Sequence, residues 1–254
     1  MKSFEELVAE AESQPFSGWD FSWLEGRFEE GRPSWDYRRK VLAAIKGART
    51  VLDLGTGGGE VLASMGPLPA ETYATESWSP NFPVARKRLE PLGVKVVHTP
   101  SMGRLPFDSE RFDLVIDRHE EYQETELFRI LKPGGSFITQ QVGGMNLDEL
   151  IFALLGAVHG RTIHPIPSMS LETATASLRM AGLQVSTGLE ESFPSLFYDV
   201  GAVVYFLKHS PWEITDFDSK KYRRPLLWLH EVIQKEGSFK ATSSRFYIEA
   251  RKPA

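Results

Sequence analysis

The chain has 254 residues, of which 41% are hydrophobic and 25% charged, the composition of a globular protein that buries an extensive core. The formal net charge of −5 repels polyanions such as nucleic acids, and the lack of cysteine excludes disulfide bonds, thiolate metal sites and a cysteine nucleophile. The longest apolar run, residues 150–158, is shorter than the ~20 residues that cross a bilayer, so we expect a cytoplasmic protein without a membrane span.

Residues 1–47 are predicted to form an N-terminal helical cap. Phe4, Leu7 and Val8 are spaced like one face of a helix, and acidic residues stand where an export signal needs an apolar core. A second helix is predicted over residues 34–46, after a stretch rich in aromatic residues and glycine. Four residues of this cap are candidates either to line a substrate pocket or to cover apolar surface: Trp19, Trp23, Arg27 and Trp35.

From residue 48 the sequence alternates short β-branched runs with helical stretches, which is typical of parallel strands with helices on both faces of the sheet. Ser79-Pro80 and Gly93 mark helix boundaries between the strands. The pattern predicts a core over residues 48–142. Its strands are predicted at residues 50–54, 72–75, 94–98, 112–117 and 136–142.

Residues 143–254 are predicted to complete the sheet and the substrate pocket. Strands at 183–189 and 245–250 bring the predicted sheet to seven strands, and no internal repeat or flexible linker divides the chain into separate domains. The predicted fold class is therefore α/β, with a three-layer, doubly wound, mostly parallel seven-stranded sheet in one structural domain. Helices are predicted at 147–158, 171–181, 200–208 and 220–236, with a proline-rich link at 164–168.

The segment VLDLGTGGGE, residues 51–60, predicts a buried strand that turns through glycines into a helix. Glycine at 55, 57 and 59 lets a ligand approach the backbone closely, although such a turn can also be purely structural. Position 60 carries Glu60 where the dinucleotide fingerprint needs a third glycine, which disfavours phosphate binding. Asp53 before the turn and Glu76 near the end of the next strand suit a ligand with an amino group, a ribose and no phosphate.

Four segments, VLDLGTGGGE, YATES, LPFDSERFDLVI and LKPGGSFITQQV, together resemble the Rossmann-like (class I) S-adenosylmethionine-dependent methyltransferases over residues 48–142. The resemblance implies the fold and S-adenosylmethionine as the cofactor, and it says little about the substrate. It implies that Gly55, Thr56, Gly57 and Gly59 pass under the methionine part of the cofactor. Asp53 then holds the ammonium group, and Glu76 accepts hydrogen bonds from both ribose hydroxyls.

The resemblance also assigns residues to the adenine. Ser77 and Trp78 follow Glu76, and Trp78 is a candidate to stack on the adenine, although packing is the alternative. Ser101 and Met102 stand where the family often has an aspartate and a backbone amide that read the adenine edge. Because this chain has serine instead of aspartate, the contact rests on a hydroxyl group that can still accept a hydrogen bond.

The chemistry is predicted just after the fourth strand of the core, because ligands of open α/β sheets bind beyond the carboxyl ends of the strands. We expect His119 to act as a base with Glu120 orienting or accepting, and Asp117 and Arg118 to border the cofactor. The alternative is a surface histidine followed by acids that the helix dipole favours. Gln140, Gln141 and Asn146, after the fifth strand, are further candidates for the substrate pocket.

A small-molecule substrate is the main expectation, because more than a hundred residues follow the core and can enclose a pocket. The basic run KKYRR, residues 220–224, keeps RNA or protein substrates open as an alternative, and a non-catalytic cofactor-binding regulator is the other. The scattered histidines show no metal-ligand spacing, so we expect no metal. The sequence makes no prediction of the oligomeric state.

Overall fold

The computed structural model describes residues 2–100, 102–159 and 170–254, so the predicted adenine contact Ser101 and the predicted link at 164–168 lie outside the described residues. Within this part of the chain, eight strands form one sheet flanked by helices. The strands are β1 (Phe28–Glu30), β2 (Thr50–Leu54), β3 (Glu71–Glu76), β4 (Lys95–His98), β5 (Phe112–Arg118), β6 (Leu131–Val142), β7 (Gln184–Phe197) and β8 (Phe239–Arg251).

The strand order is β1-β7-β8-β6-β5-β2-β3-β4. Strands β2 to β6 pair in parallel, whereas β8 runs antiparallel to β6 and β7, and β1 runs antiparallel to β7. The predicted α/β class with a mostly parallel sheet is confirmed. Because the parallel strands align, β2, β3, β5 and β6 all end at one edge, which we call the C-terminal edge of the sheet.

The prediction of seven strands is wrong, because the sheet in the described residues has eight. The additional strand, Phe28–Glu30, lies within the predicted helical cap and pairs with residues 195–197 of β7. Strand β7 runs on to Phe197, past the predicted end at Leu189, where two glutamates and Pro194 interrupt the apolar pattern. This far end of β7 provides the edge on which β1 pairs, and only the tertiary structure reveals it.

Four of the helices begin at residues whose side chains cap them. Ser3 and Ser170 form capping boxes, Asp36 and Asp199 accept hydrogen bonds from first-turn amides, and Gly237 ends the last helix in a left-handed conformation. None of the helices in the described ranges is long and apolar enough to cross a membrane. They are α1 (Phe4–Ser13), α2 (Tyr37–Ile45), α3 (Glu60–Ala63), α4 (Phe82–Leu89), α5 (Glu124–Ile130), α6 (Asp148–His159), α7 (Leu171–Met180), α8 (Val200–His209) and α9 (Arg223–Glu236).

The core consists of two apolar layers on the parallel strands and a third cluster beside them. Val41 of α2 packs with Leu114 and Ile116 on one face of the sheet, and Val115 and Phe137 are buried on the other. The third cluster gathers α1, α6, α8 and α9 around the far ends of β7 and β8. Successive side chains of a strand point to opposite faces of the sheet. The positions of the apolar residues therefore determine the face from which each polar residue at the C-terminal edge projects.

A bidentate ion pair joins the N-terminal segment to α8. Arg27 donates from Nε to Asp199 at 2.7 Å and from a terminal nitrogen at 2.8 Å, and Asp199 also accepts from the backbone N–H of Ala202 at 2.9 Å. The guanidinium lies 3.8 Å from the ring centre of Trp23. Trp23 and Arg27, two candidates for the substrate pocket, therefore take part in holding the N-terminal segment on the third cluster.

We expect Asp199→Ala to lower the free energy of unfolding by about 3 kcal/mol, because it removes a helix cap and leaves Arg27 without its main partner. Asp36→Ala is the matched control, since Asp36 caps α2 from an exposed position and its loss is expected to cost about 1 kcal/mol. Urea denaturation of both variants measures the difference. Equal losses would show that the ion pair adds nothing to the cap.

Candidate functional site

The predicted glycine turn lies at the C-terminal edge, directly after β2. Gly55, Gly57 and Gly59 have φ angles of +60°, +63° and +80°, a conformation that favours glycine at all three positions. The turn is held by hydrogen bonds from the N–H of Thr56 to the carbonyl of Thr75 at 2.9 Å and from Gly59 to Thr56 at 3.0 Å. The glycine spacing in the sequence therefore reflects the backbone that the turn requires.

Two buried carboxyl groups flank the turn. Asp53 is 8% exposed and Glu76 is 3% exposed, and they lie near the carboxyl ends of neighbouring strands, which pair Asp53 with Ala74. Burial raises the pKa of Asp53 to about 7 and raises the pKa of Glu76 as well, although Glu76 accepts a hydrogen bond from the N–H of Trp78 at 2.7 Å. Burial of both acids favours a ligand that brings positive charge or hydrogen-bond donors.

Asp117 and Gln141 brace the turn that follows β5. Asp117 is fully buried, and one of its oxygens accepts from Nε2 of Gln141 at 2.9 Å and from the N–H of Glu120 at 3.3 Å. Gln141 also donates to the carbonyl of Glu120 at 2.9 Å. The other oxygen of Asp117 has no hydrogen-bond partner in the described part of the chain, and burial raises the pKa of this group well above its usual range.

Arg118 and His119 project from the face of the sheet opposite to Asp117. Arg118 is the register partner of Gln140, and Asp53 lies on this face too, because its register partner Ile116 stands two residues before Arg118. His119 has a φ angle of +68°, which is uncommon for a residue with a side chain. Although His119 is exposed, desolvation and the guanidinium groups of Arg118 and Arg245 lower its pKa well below the usual range.

Two side chains cover the glycine turn. A Cβ atom on Gly55 would collide with the side chain of Glu120, and one on Gly57 would collide with the indole of Trp19. Trp19 is 45% exposed and stacks on Phe21 with ring centres 6.1 Å apart. The space above the turn is therefore occupied by Trp19 and Glu120, and a ligand needs both side chains to move.

The residues assigned to the adenine are only partly described. Trp78 and Met102 are exposed, at 63% and 52%, and Ser77 lines a small crevice beside Gly55 and Glu120. Ser101 belongs to the residues that the structure does not describe. Because Trp78 is exposed, its ring is not packed in the core. A ring that stacks on a ligand has to be accessible in this way.

The N-terminal segment contributes to the site in ways that the sequence did not predict. Trp35, which is buried, donates from its indole nitrogen to Oε1 of Gln140 at 2.9 Å, and Tyr37 donates to the carbonyl of Asp117 at 3.0 Å. Trp35 was among the candidates for the substrate pocket, whereas Tyr37, the first residue of α2, was not singled out. Asn146, by contrast, accepts a hydrogen bond through its side-chain oxygen from the guanidinium group of Arg245 at 2.7 Å.

A cavity of about 350 Å³ opens next to Arg245, which also acts electrostatically on His119. Arg245 is paired with Glu30 at 2.6 Å. The rest of the wall is mostly apolar and comes from the N-terminal segment and α8. The lining residues are Phe21, Ser22, Leu24, Glu25, Phe28, Glu30, Phe206 and Arg245. Among the described residues, no group of three or more histidine or acidic side chains is arranged to hold a metal ion.

Residues 52–139 match a family described as a methyltransferase domain. Over 123 residues the chain is 30% identical to the ubiquinone biosynthesis O-methyltransferase of Roseobacter denitrificans (strain ATCC 33942 / OCh 114), a match that covers 45% of this chain. The match covers 49% of that relative, so the chain spans about half the length of the curated protein it resembles.

Solved structures share the fold at low sequence identity. A candidate methyltransferase from Bacillus halodurans C-125 superposes with a TM-score of 0.60 at 19% identity. The superposition covers 86% of this chain and 99% of the Bacillus chain. The 4+2 cyclase SpnF superposes with a TM-score of 0.53 at 16% identity, covering 98% of this chain and 92% of its own. Residues 52–139 therefore match a methyltransferase domain, and the solved structures show that most of the chain shares the fold of a candidate methyltransferase.

Proposed function

We propose that this protein transfers a methyl group from S-adenosylmethionine to a nucleophilic atom of a small molecule. The observation that carries the proposal is the glycine turn between two buried carboxyl groups at the C-terminal edge of the sheet. When bound, S-adenosylmethionine supplies a methyl group on a positively charged sulfur, which becomes a neutral thioether after the transfer. The protein's task is to align the acceptor with that methyl group and to exclude water.

The residues present fit this cofactor. Asp53, buried at the start of the turn, is suited to the ammonium group of the methionine part, and Glu76 to the two ribose hydroxyls. The positive φ angles of Gly55 and Gly57 let the methionine part lie against the backbone once Glu120 and Trp19 move away. Ser77, Trp78, Ser101 and Met102 remain the proposed adenine contacts, and Asp117 and Arg118 the proposed border of the cofactor.

The cavity next to Arg245 supports a small-molecule acceptor. Its volume of about 350 Å³ falls in the range of small-molecule pockets, and its wall is mainly aromatic and aliphatic. The match to a ubiquinone biosynthesis O-methyltransferase also supports a small-molecule acceptor over RNA or protein. The basic run at residues 220–224 gives RNA little support, since Lys221 is paired with Asp216 and Arg223 with Glu5.

A non-catalytic cofactor-binding regulator is the second candidate. The covered glycine turn does not separate the two candidates, because Trp19 and Glu120 must move before either a methyltransferase or a regulator binds the cofactor there. The likeness in fold to a cyclase also means that the fold alone does not determine the reaction. Methyl transfer from labelled cofactor to a pool of small acidic metabolites separates the candidates, since a regulator binds the cofactor without turnover.

We expect Asp53→Asn and Glu76→Gln each to weaken the binding of S-adenosylhomocysteine by about 10- to 100-fold, because each removes a charged hydrogen-bond acceptor worth about 1.5–3 kcal/mol. Isothermal titration calorimetry measures the dissociation constants. Glu71→Gln is the matched control, because Glu71 lies at the other end of β3 and pairs with Lys95 and Arg111. Unchanged affinity in both test variants would refute the proposed cofactor site.

Cofactor binding is also expected to depend on pH through Asp53. Only the ionised carboxylate attracts the ammonium group, and the pKa of Asp53 in the free protein is raised to about 7. The affinity for S-adenosylhomocysteine should therefore rise about tenfold between pH 5.5 and 6.5 and level off above pH 7. Calorimetry at these pH values tests this, and Asp53→Asn should lose most of the dependence. An equally steep dependence in that variant would assign the effect to another group.

Removing the indole over the glycine turn should speed cofactor binding. In Trp19→Ala we expect S-adenosylhomocysteine to associate several times faster, because one of the two covering side chains no longer has to move. Stopped-flow fluorescence measures the rate. Trp228→Ala is the control, because Trp228 is similarly exposed and packs on Phe239 in the third cluster. An unchanged rate, or a loss of affinity, would contradict the covering role of Trp19.

A further inference from the structure

A chain of two polar contacts leads from the N-terminal segment to His119. The indole nitrogen of Trp35 can only donate, so the atom of Gln140 that lies 2.9 Å from it must be the amide oxygen. The amide nitrogen of Gln140 then faces Nε2 of His119, at 3.5 Å. Trp35 and Gln140 are both buried, at 8% and 7% exposure, so this arrangement belongs to the packed part of the site.

These contacts determine where His119 carries its proton. An amide nitrogen can only donate, so this contact is a hydrogen bond only if Nε2 of His119 accepts, and a proton on Nε2 would bring two donors together. The imidazole is therefore neutral with its hydrogen on Nδ1. The lone pair of Nε2 faces Gln140. The imidazole therefore presents its Nδ1–H, a hydrogen-bond donor, to a ligand.

The backbone keeps His119 beside Gln140. The N–H of His119 donates to the carbonyl of Gln140 at 3.0 Å, which extends the pairing of β5 and β6 by one residue beyond Arg118. Arg118 and Gln140 are register partners in parallel strands, so their side chains project from the same face of the sheet. Because its ring contacts Gln140, His119 lies on that face as well.

Two guanidinium groups act on the ring of His119, and the carboxylates of Asp53 and Glu30 act on one of them, that of Arg118. Arg118 on β5 and Arg245 on β8 act on its ring electrostatically, and Gln140 faces it from β6. Glu30 from β1 neutralises Arg245 through their ion pair. Beyond the backbone pairing of Arg118 with Gln140, its guanidinium group forms neither a hydrogen bond nor an ion pair in the described ranges. One N–H donor and one unpaired guanidinium thus adjoin each other on this face, which is an environment for an anion.

We propose that the methyl acceptor binds as an oxyanion on an aromatic or aliphatic body, with the oxyanion accepting a hydrogen bond from Nδ1 of His119 and the body lying in the cavity beside Arg245. This inference rests on the proposed methyl transfer and names the class of its substrate. An oxyanion has no proton to lose when it takes the methyl group, and its negative charge cancels the positive charge of the donor sulfur. His119 then acts as a donor to the acceptor, and the site needs no base.

The position of the proton is tested by NMR on protein labelled with ¹⁵N-histidine. In the wild type the ring nitrogens of His119 should show the neutral form with hydrogen on Nδ1 at pH 7. Trp35→Phe keeps an aromatic ring but frees the amide of Gln140 to rotate, and Gln140→Glu replaces the donor with an acceptor. Both variants should move the hydrogen to Nε2. A wild-type ring with hydrogen on Nε2, or variants identical to the wild type, would overturn the proposal.

The class of acceptor is tested with benzoate and its neutral analogue benzamide as probes. In wild-type protein saturated with S-adenosylhomocysteine, the His119 resonances should report benzoate binding at least tenfold tighter than benzamide binding. His119→Ala, followed through Gln140 side-chain resonances, should lose that preference. Equal binding of the two probes would overturn the proposal. Failure of S-adenosylhomocysteine to bind in calorimetry would refute the proposed function instead, and the probes titrated without it still decide this inference.

Discussion

The candidate site depends on the burial of three carboxyl groups at one edge of a parallel sheet. Asp53, Glu76 and Asp117 come from three strands, and burial raises the pKa of each. Acids this close disfavour one another's ionisation unless a cation or a set of donors compensates them. Backbone amides and Gln141 compensate Glu76 and Asp117 in part. A positively charged ligand would therefore stabilise the ionised form of Asp53 more than that of the other two acids.

The sequence predicted the local parts of this arrangement well. The glycine turn could be identified from five adjacent positions, because the left-handed backbone at residues 55, 57 and 59 restricts the residue type directly. The strands of the core were predicted within a few residues, since strands buried on both faces form apolar runs. Strand β1 was missed because its partner lies at the far end of β7, and no local pattern records that pairing.

The site itself was predictable only in outline. The rule that ligands bind beyond the carboxyl ends of parallel strands directed attention to residues 117–121. It could not indicate that Asp117 and Arg118 project from opposite faces, or that Trp35 reaches Gln140 from a separate segment of the chain. The cavity beside Arg245 was also missed, because its wall combines the N-terminal segment with α8 and β8. Contacts of this kind depend on tertiary packing, which single-sequence patterns do not encode.

The segment before β2 is the part of this chain that can separate its chemistry from that of other proteins with the same sheet. Trp19 covers the glycine turn, Trp35 orients Gln140 towards His119, and Phe28 and Glu30 line the cavity. The proposed cofactor access and acceptor recognition thus both involve the stretch from Trp19 to Trp35, which the Arg27–Asp199 pair holds on α8. A movement of this stretch that uncovers Gly57 would also alter the wall of the cavity.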